Sequence, residues 1–343
     1  MTDPTDHRPL VTFALIAFNQ EKYIGEAVES AFSQTYEPLE IILSDDFSSD
    51  KTYAHMKELA NKYFGRHKVI LRRNCKNLGL ADHINNVMAA STGRLIVIAA
   101  GDDISVPERT STLTNYWLSN GKFSGSIYSN FRSISEEGAL YPHSKRLEPF
   151  KTKLSDKNIS MLNNFSGISG CSHAWTRDVF DIFGPLNSNV AHEDVSIPLR
   201  SLLIGSVGFL PKELVYYRKT SGSITRKKFS SSNERFAKMA AYWEGRIAMF
   251  EQLSSDMDKI RKLKSVPAED LNWLGAQSTK ARKYAHQQSK LYKSKFLYRM
   301  AVSINPLSAL SLRDRIKWII ISIFPIVYGK YRREYRNLPL EQR

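Results

Sequence analysis

Short apolar runs alternate with amphipathic stretches along the first 120 residues of the chain. Four runs are apolar and β-branched enough to predict buried strands, at residues 10–18, 39–46, 68–73 and 95–103. Between them, residues 20–35, 50–64 and 81–92 place apolar side chains three and four positions apart, which predicts helices. Strands that alternate with helices in this way are typical of an α/β fold, with a mostly parallel central sheet and helices on both faces.

Polar residues stand where three of these strands end. Asn19 follows the first strand, Asp45 and Asp46 end the second, and Asp102 and Asp103 end the fourth. Ligands of open α/β sheets bind beyond the carboxyl ends of the strands, so we expect these side chains to line a site. The two adjacent aspartates repel each other. They therefore either face solvent as the cap of a helix or share a bound positive charge.

The turn after the first strand excludes the common phosphate-binding loops. Its sequence, AFNQEKYIG, lacks the glycine cluster of a dinucleotide-binding fold, and the sequence contains no P-loop motif. Carboxylates repel phosphate unless a divalent cation bridges the two. The pattern therefore favours Mg²⁺ or Mn²⁺, which hold substrate phosphates through one or two carboxylates.

The organisation of the chain changes after about residue 122, where predicted strands become shorter and loops longer. A Gly/Ser-rich turn at residues 165–175 precedes a helical stretch at 192–205, and the chain is helical and basic from about residue 230. The division expected from this pattern is a domain over residues 1–225, with halves at about 9–120 and 121–225, followed by a mostly helical extension over residues 226–343.

Charge narrows the class of partner. Lys and Arg number 49 against 34 Asp and Glu, and a net charge of +15 favours a polyanionic partner. Nucleic acid is disfavoured, because the sequence carries no recognised nucleic-acid-binding motif. Two cysteines are too few for a disulfide framework or a zinc cluster. Without a signal-peptide pattern or an apolar run of about 18 residues, we expect a cytoplasmic location.

The segment at about 312–336 combines an apolar stretch with a cluster of cations, Lys330, Arg332, Arg333 and Arg336. It is too short to span a bilayer, and its composition suits an in-plane or re-entrant segment on an anionic cytoplasmic leaflet. A helix packed on the main domain is the alternative. We expect peripheral attachment to the inner face of the cell membrane.

The first 120 residues resemble the opening of family 2 glycosyltransferases, inverting enzymes with the Rossmann-like GT-A fold. The residues that carry the resemblance are Asn19, Gln34–Thr35–Tyr36, Glu40, the sequence DDFSSDKT, and Asn77, Gly79, Asn85 and Gly93 before the acidic pair. The resemblance is good over residues 9–120 and patchier to about 225. Beyond that point the sequence shows no family signal.

This resemblance implies a nucleotide-sugar site at the strand ends. Asp46 would bind the base of a UDP-, dTDP- or GDP-sugar, and Phe18 and Asn19 would contact the same donor. Arg218 lies in a Tyr-Arg segment similar to the one that precedes a flexible loop over the diphosphate in the family. It would neutralise phosphate charge.

The acidic pair stands where the family carries its Asp-x-Asp-type motif. Asp102 would contact the donor, and Asp103 would be the ligand of Mg²⁺ or Mn²⁺. Gly101 departs from the pattern, because many members have a further acid at that place. The metal would then be held by fewer protein ligands.

On the acceptor side, Glu193–Asp194 resembles the Glu-Asp of the family, whose aspartate deprotonates the acceptor hydroxyl. Asp194 is the expected catalytic base, ahead of Glu193 and of His192, and one base with a metal-held leaving group gives inversion in a single step. Gly170, Trp175 and Glu193 are expected to bind the acceptor, Trp175 by stacking on a sugar.

These expectations describe an inverting, metal-dependent glycosyltransferase of bacterial surface-polysaccharide synthesis. It would act on a glycan acceptor, which we expect to be linked to a lipid. Two alternatives stay open: a sugar-phosphate nucleotidyltransferase, and a membrane-surface scaffold with an inactive transferase domain. The first would be expected to carry a glycine-rich, basic loop after the first strand, and AFNQEKYIG is not one.

Overall fold

A computed structural model describes residues 8–142, 154–157, 162, 168–220, 231–305 and 310–323. The strands are β1 Val11–Ala17, β2 Leu39–Asp45, β3 Lys68–Arg73, β4 Leu95–Ala100, β5 Ile104–Ser105, β6 Gly125–Ile134, β7 His173–Thr176 and β8 Ser206–Arg218. The α-helices are α1 Ile24–Phe32, α2 Thr52–Asn61, α3 Leu80–Ala90, α4 Arg109–Ser119, α5 Asp178–Asp181, α6 Glu193–Ile204, α7 Ser232–Leu263, α8 Ala268–Lys293, α9 Phe296–Ile304 and α10 Leu312–Ile323.

The four strands predicted in the first 120 residues form one parallel half of the sheet, in the order β3-β2-β1-β4. Strands β1, β2 and β4 are buried along almost their whole length, which is why their sequences are continuous apolar runs. Helices α1 and α4 contribute Val28 and Leu113 to the same core. The α/β prediction is confirmed.

The other half of the sheet is mixed. Strand β7 is antiparallel to both β4 and β6, β8 is parallel to β6, and β5 is antiparallel to β8. The sheet of eight strands therefore has four parallel and three antiparallel pairings. This is less parallel than the first 120 residues alone predict, because β5 and β7 are only two and four residues long and carry little sequence pattern.

Packing divides the chain into two compact units. The first comprises Met1–Ser223 and Ala248–Ala281, and the second comprises Ile224–Ile247 and Arg282–Arg343. The predicted division near residue 225 does not follow this packing, because residues 248–281 belong with the sheet. Arg200 on α6 shows why: its guanidinium pairs with Asp256 at 2.8 Å, and both side chains are buried.

The second unit has an aromatic core of its own. Trp318 is fully buried there with Leu291, Tyr292 and Ile321, and its ring meets that of Tyr292 edge-on at 4.5 Å. Among the helices in the described ranges, none combines the length and the apolarity needed to cross a membrane.

Candidate active site

The loops after β1 and β2 are bound to each other by hydrogen bonds. The backbone N–H of Asn19 donates to the Ser48 hydroxyl at 2.8 Å, and the Asn19 side-chain oxygen accepts the N–H of Ser49 at 2.8 Å. The N–H of Gln20 donates to the Thr52 hydroxyl at 2.7 Å. Because these residues are engaged with the neighbouring loop, α1 begins at Ile24 and not at the predicted residue 20.

Asp46 is buried and both oxygens of its carboxylate accept hydrogen bonds. It accepts hydrogen bonds from the Asn74 side chain at 2.7 Å and from the N–H groups of Leu78 and Gly79, both at 3.0 Å. These bonds shape the loop between β3 and α3, at the edge where a nucleotide base is predicted to bind. Phe18 follows β1, whose last residue, Ala17, accepts the backbone N–H of Asp46 at 2.9 Å, and its ring is 43% exposed and so accessible to a ligand. Contacts of Asp46, Asn19 and Phe18 with a donor stay predictions.

Asp102 and Asp103 follow β4 and are poorly compensated. Asp103 is 4% exposed and accepts the backbone N–H of Arg218 at 2.9 Å. Burial, and then the charge of Asp102, hold the pKa of Asp103 well above its usual range. Burial also raises the pKa of Asp102, although the charge of Arg218 opposes the shift. Two adjacent carboxylates that lose hydration in this way fit a divalent cation, which would relieve their repulsion.

The protein offers few ligands to such a cation. In the described part of the chain, no three His, Cys, Asp or Glu side chains converge as metal ligands. The two aspartates would therefore supply carboxylate oxygens, and the substrate phosphates and water the remaining ligands. Mg²⁺ is commonly bound in this way.

The departure at Gly101 has a steric cause. A Cβ at this position would lie 2.6 Å from the side-chain oxygen of Gln20, 2.8 Å from the Cβ of Ala17 and 2.9 Å from the Cδ1 of Ile24. A side chain here would require Ala17 and the ends of the Gln20 and Ile24 side chains to shift. The packing around Gly101 therefore disfavours the further acid that many family members carry.

Arg218 lies beside the acidic pair, but its guanidinium is bound to protein. Its Nε donates to the carbonyl of Asp102 at 3.1 Å, one terminal nitrogen donates to the carbonyl of Glu136 at 2.8 Å, and the other donates to the Glu26 carboxylate at 3.0 Å. The side chain is 1% exposed. These contacts make Arg218 a positioning residue for the turn at Asp102–Asp103. The expected contact with the diphosphate would require some of them to open.

Glu193 and Asp194 occupy the first turn of α6, after His192. Burial, followed by the charge of Asp194, raises the pKa of Glu193 to about 8. Burial alone raises the pKa of Asp194 to about 6. Asp194 is therefore the more readily ionised of the two, which makes it the carboxylate available to accept a proton near neutral pH.

Gly170 lies against this pair. A Cβ added at Gly170 would lie 2.7 Å from a carboxylate oxygen of Glu193 and 3.9 Å from the Cβ of Asp194. The glycine thus lets the turn of residues 170–172 approach the two acids. This places Gly170, Glu193 and Asp194 in one cluster, as the acceptor prediction requires.

The prediction for Trp175 is wrong in this structure. Trp175 lies on β7, paired with Ile96 of β4, and is 1% exposed. Its ring nitrogen donates to the sulfur of Met88 at 3.3 Å. A side chain enclosed in the sheet core cannot stack on a sugar.

Sequence reasoning missed Arg109, which connects the two acidic clusters. The side chain is completely buried, and its guanidinium donates to the carbonyls of Ile98 at 2.7 Å and Cys171 at 2.9 Å and to the Ser105 hydroxyl at 2.9 Å. It joins the end of β4, strand β5 and the turn that contacts Glu193. Arg109 is the first residue of α4 and follows the polar sequence PE, and this context does not predict its burial.

Comparison with known proteins identifies the family. The profile of "Glycosyl transferase family 2" matches residues 12–182. A Haemophilus influenzae protein described as an uncharacterized glycosyltransferase is 36% identical over 112 residues, which are 33% of this chain and 34% of that protein. The matched stretch thus spans about a third of that relative's length.

Two solved structures share the fold over most of the chain. One is S. aureus TarS 1-349 in complex with UDP-GlcNAc, with a TM-score of 0.54 and 15% identity over 94% of this chain and 92% of that one. The other is the mannosyltransferase PcManGT from Pyrobaculum calidifontis in complex with GDP-Man and Mn²⁺, with a TM-score of 0.52 and 13% identity over 95% of this chain and 87% of that one. At these identities the likeness is one of fold. The chain therefore belongs to glycosyltransferase family 2 and has the GT-A fold.

Proposed function

We propose that the protein is an inverting glycosyltransferase that transfers a sugar from a nucleotide-diphosphate donor to a hydroxyl of a glycan acceptor. The observation that carries the proposal is the pairing of two acidic sites in one unit. Asp102 and Asp103 form a poorly compensated carboxylate pair, and Asp194 is the more readily ionised of two buried carboxyls, because burial raises its pKa to about 6 and that of Glu193 to about 8.

The donor side would work by charge compensation. Asp103, with Asp102 beside it, would hold Mg²⁺ or Mn²⁺, and the ion would offset the charge that develops on the leaving diphosphate. Asn19, Phe18 and Asp46 would orient the nucleotide at the ends of β1 and β2. Proteins of similar fold are in complex with UDP-GlcNAc and with GDP-Man and Mn²⁺, which supports a nucleotide-sugar donor and a divalent metal.

On the acceptor side, Asp194 would take the proton of the attacking hydroxyl. Transfer to a positioned carboxylate is efficient when the pKa of the base lies near the working pH, as it does for Asp194. Glu193, in its protonated form, would donate a hydrogen bond to the acceptor. A single displacement at the anomeric carbon, with the base on the side opposite the leaving group, inverts that carbon.

The acceptor and the cellular location of the protein are part of the proposal. We propose a lipid-linked glycan acceptor in the synthesis of a bacterial surface polysaccharide, and peripheral attachment to the inner face of the cell membrane. The basic character of the chain supports an anionic surface as its partner, with a net charge of +15.

Thermal stabilisation by donors tests the proposal. Purified protein is heated with UDP-, GDP- or dTDP-sugars, each with Mn²⁺ and with EDTA. A ligand that binds the folded state raises stability by about 2.7 kcal/mol at a hundredfold excess over its Kd. We expect a rise in Tm with one donor class that requires the metal, that is lost in Asp103→Asn, and that is kept in Asp258→Asn, a surface control.

Three outcomes would count against the proposal. Equal stabilisation of Asp103→Asn would remove the metal role of that residue. Condensation of a sugar phosphate with a nucleoside triphosphate would favour the nucleotidyltransferase. No stabilisation by any donor, and no release of sugar from any donor, would favour the inactive scaffold.

A further inference from the structure

Helix α10 exposes an apolar stripe to solvent. Leu312, Ile316 and Ile320 are 70%, 51% and 40% exposed, and their spacing of four residues places them on one face of the helix. Isolated exposed apolar residues are ordinary on protein surfaces. Three large aliphatic side chains in a row along one short helix form a continuous apolar strip, and strips of this kind are typical of binding surfaces.

The face of α10 opposite the stripe is buried, and its contacts fix the orientation of the helix within its unit. Trp318 and Ile321 are buried in the core of the second unit, and the ring nitrogen of Trp318 donates to the side-chain oxygen of Gln288 at 3.2 Å. The Tyr284 hydroxyl donates to Asp314 at 3.0 Å, and the Arg315 Nε donates to the carbonyl of Ser303 at 2.9 Å. Packing therefore turns the stripe outward.

Cations border the stripe. Arg313 and Lys317 follow Leu312 and Ile316 directly, so both lie along one edge of it. The acid of this helix, Asp314, is engaged by Tyr284 and by the Ser311 hydroxyl at 2.8 Å. In the same unit, residues 282–305 contain no Asp or Glu, and they carry the basic residues Arg282, Lys283, Lys290, Lys293, Lys295 and Arg299.

We infer that this face of α10, defined by Leu312, Ile316 and Ile320 with Arg313 and Lys317, is a docking surface for an anionic lipid membrane. An apolar strip beside cations lies in the plane of a lipid interface, with the aliphatic side chains among the acyl chains and the cations at the headgroups. The helix has 12 residues. At 1.5 Å a residue it is about 18 Å long, which suits this in-plane orientation and is too short to cross. The inference rests on the proposed function only for its biological setting, because it names the surface by which the enzyme would reach a lipid-linked acceptor.

Vesicle co-sedimentation of the full-length protein tests the inference. The variants are Ile316→Gln/Ile320→Gln, which removes two of the three aliphatic side chains of the stripe, and Leu263→Gln, a control at another exposed aliphatic residue of a helix end. We expect wild type and Leu263→Gln to bind vesicles of phosphatidylglycerol and phosphatidylcholine, and to bind pure phosphatidylcholine far less. The double variant should bind the anionic vesicles at least about tenfold more weakly. Added salt should weaken the wild type.

Other occupants of the stripe give different results. If a second copy covers it, light scattering will show a wild-type oligomer that Ile316→Gln/Ile320→Gln dissociates without lipid. If another part of the chain covers it, the double variant will melt at a lower temperature and keep its vesicle binding. Either result overturns the inference. Metal-dependent stabilisation by a nucleotide-sugar is a separate readout, so the proposed activity and the docking surface can fail independently.

Discussion

Glu193 and Asp194 are neighbours in sequence, and burial raises the pKa of the first to about 8 and of the second to about 6. The two carboxyls share the first turn of α6, where backbone N–H groups stabilise negative charge. Burial outweighs that stabilisation at both residues, and the charge of Asp194 adds to it at Glu193. Asp194 therefore ionises at a lower pH than Glu193, as the proposed base role requires.

The rate of transfer should follow the ionisation of this pair. With the pKa of Asp194 raised to about 6, kcat/KM should rise with pH up to about that value, because only the ionised carboxylate accepts a proton. With the pKa of Glu193 raised to about 8, kcat/KM should fall again above it, because a second charge then forms beside the base. A pH profile of initial rates measures both limbs.

Variants of Glu193 and Asp194 test which residue is responsible for each limb of the pH profile. Asp194→Asn should lower kcat by about 10²- to 10⁴-fold while donor binding is kept. Glu193→Gln should keep the acidic limb and lose the alkaline one. An unchanged profile in Glu193→Gln, or a loss of donor affinity in Asp194→Asn, would contradict these roles.

The sequence predicts correctly which residues lie at the ends of the continuous apolar strands. Asp46 and Asp103 follow β2 and β4, whose burial on both faces produces the pattern that predicts them. The burial of Trp175 and Arg109 could not be predicted from the sequence. Their burial depends on pairing between distant segments, and a tryptophan beside a Gly/Ser turn has the same sequence context in the core as in a sugar site.

At the scale of elements, a buried ion pair joins helix α6 to the part of α7 that belongs to the same unit. The Nε of Arg200 donates to Asp256 at 2.8 Å, and its two terminal nitrogens donate to the carbonyls of Gly184 at 2.8 Å and Pro185 at 3.1 Å. Asp256 also accepts from the Gln252 side chain at 2.9 Å. Because α6 begins with Glu193 and Asp194, the pair fixes the helix that carries the proposed base.

Removal of one partner of this pair should be costly. Arg200→Met leaves the carboxylate of Asp256 buried without its cation, and we expect a loss of about 3–5 kcal/mol in the free energy of unfolding, measured with urea. Arg200→Met/Asp256→Leu should recover most of the loss, because it removes both charges. Arg261→Met breaks an exposed pair with Asp258 and should cost at most about 1 kcal/mol. A loss as small for Arg200→Met would show that the pair contributes little.

The whole molecule is organised differently from the linear division that composition predicts. The basic, helical composition from residue 226 onward suggests a separate extension. Residues 248–281 nevertheless belong to the sheet-containing unit. The basic composition reflects the exposed side chains of these helices. The unit to which residues 248–281 belong is decided by a few buried contacts, such as those of Asp256 and Gln252.

This organisation predicts how fragments behave. A fragment of residues 1–225 lacks Asp256 and Gln252, so Arg200 would be buried without its partner, and we expect no cooperative thermal transition by near-UV circular dichroism. A fragment of residues 1–281 restores the first unit and should melt cooperatively. If residues 1–225 melt as sharply as the full chain, the helical segment is not part of that unit.

Gly101 has a consequence for the evolution of the metal site. Gln20, Ala17 and Ile24 lie 2.6–2.9 Å from the place where a Cβ at residue 101 would be. A single mutation from glycine to aspartate would collide with the start of α1 before it could add a ligand. A chain with a third acid would first need more space around residue 101, which requires Ala17 to move as well as the side chains of Gln20 and Ile24. We therefore expect the number of carboxylates at the proposed metal site to vary together with the residues packed against Gly101, at the end of β1 and the start of α1.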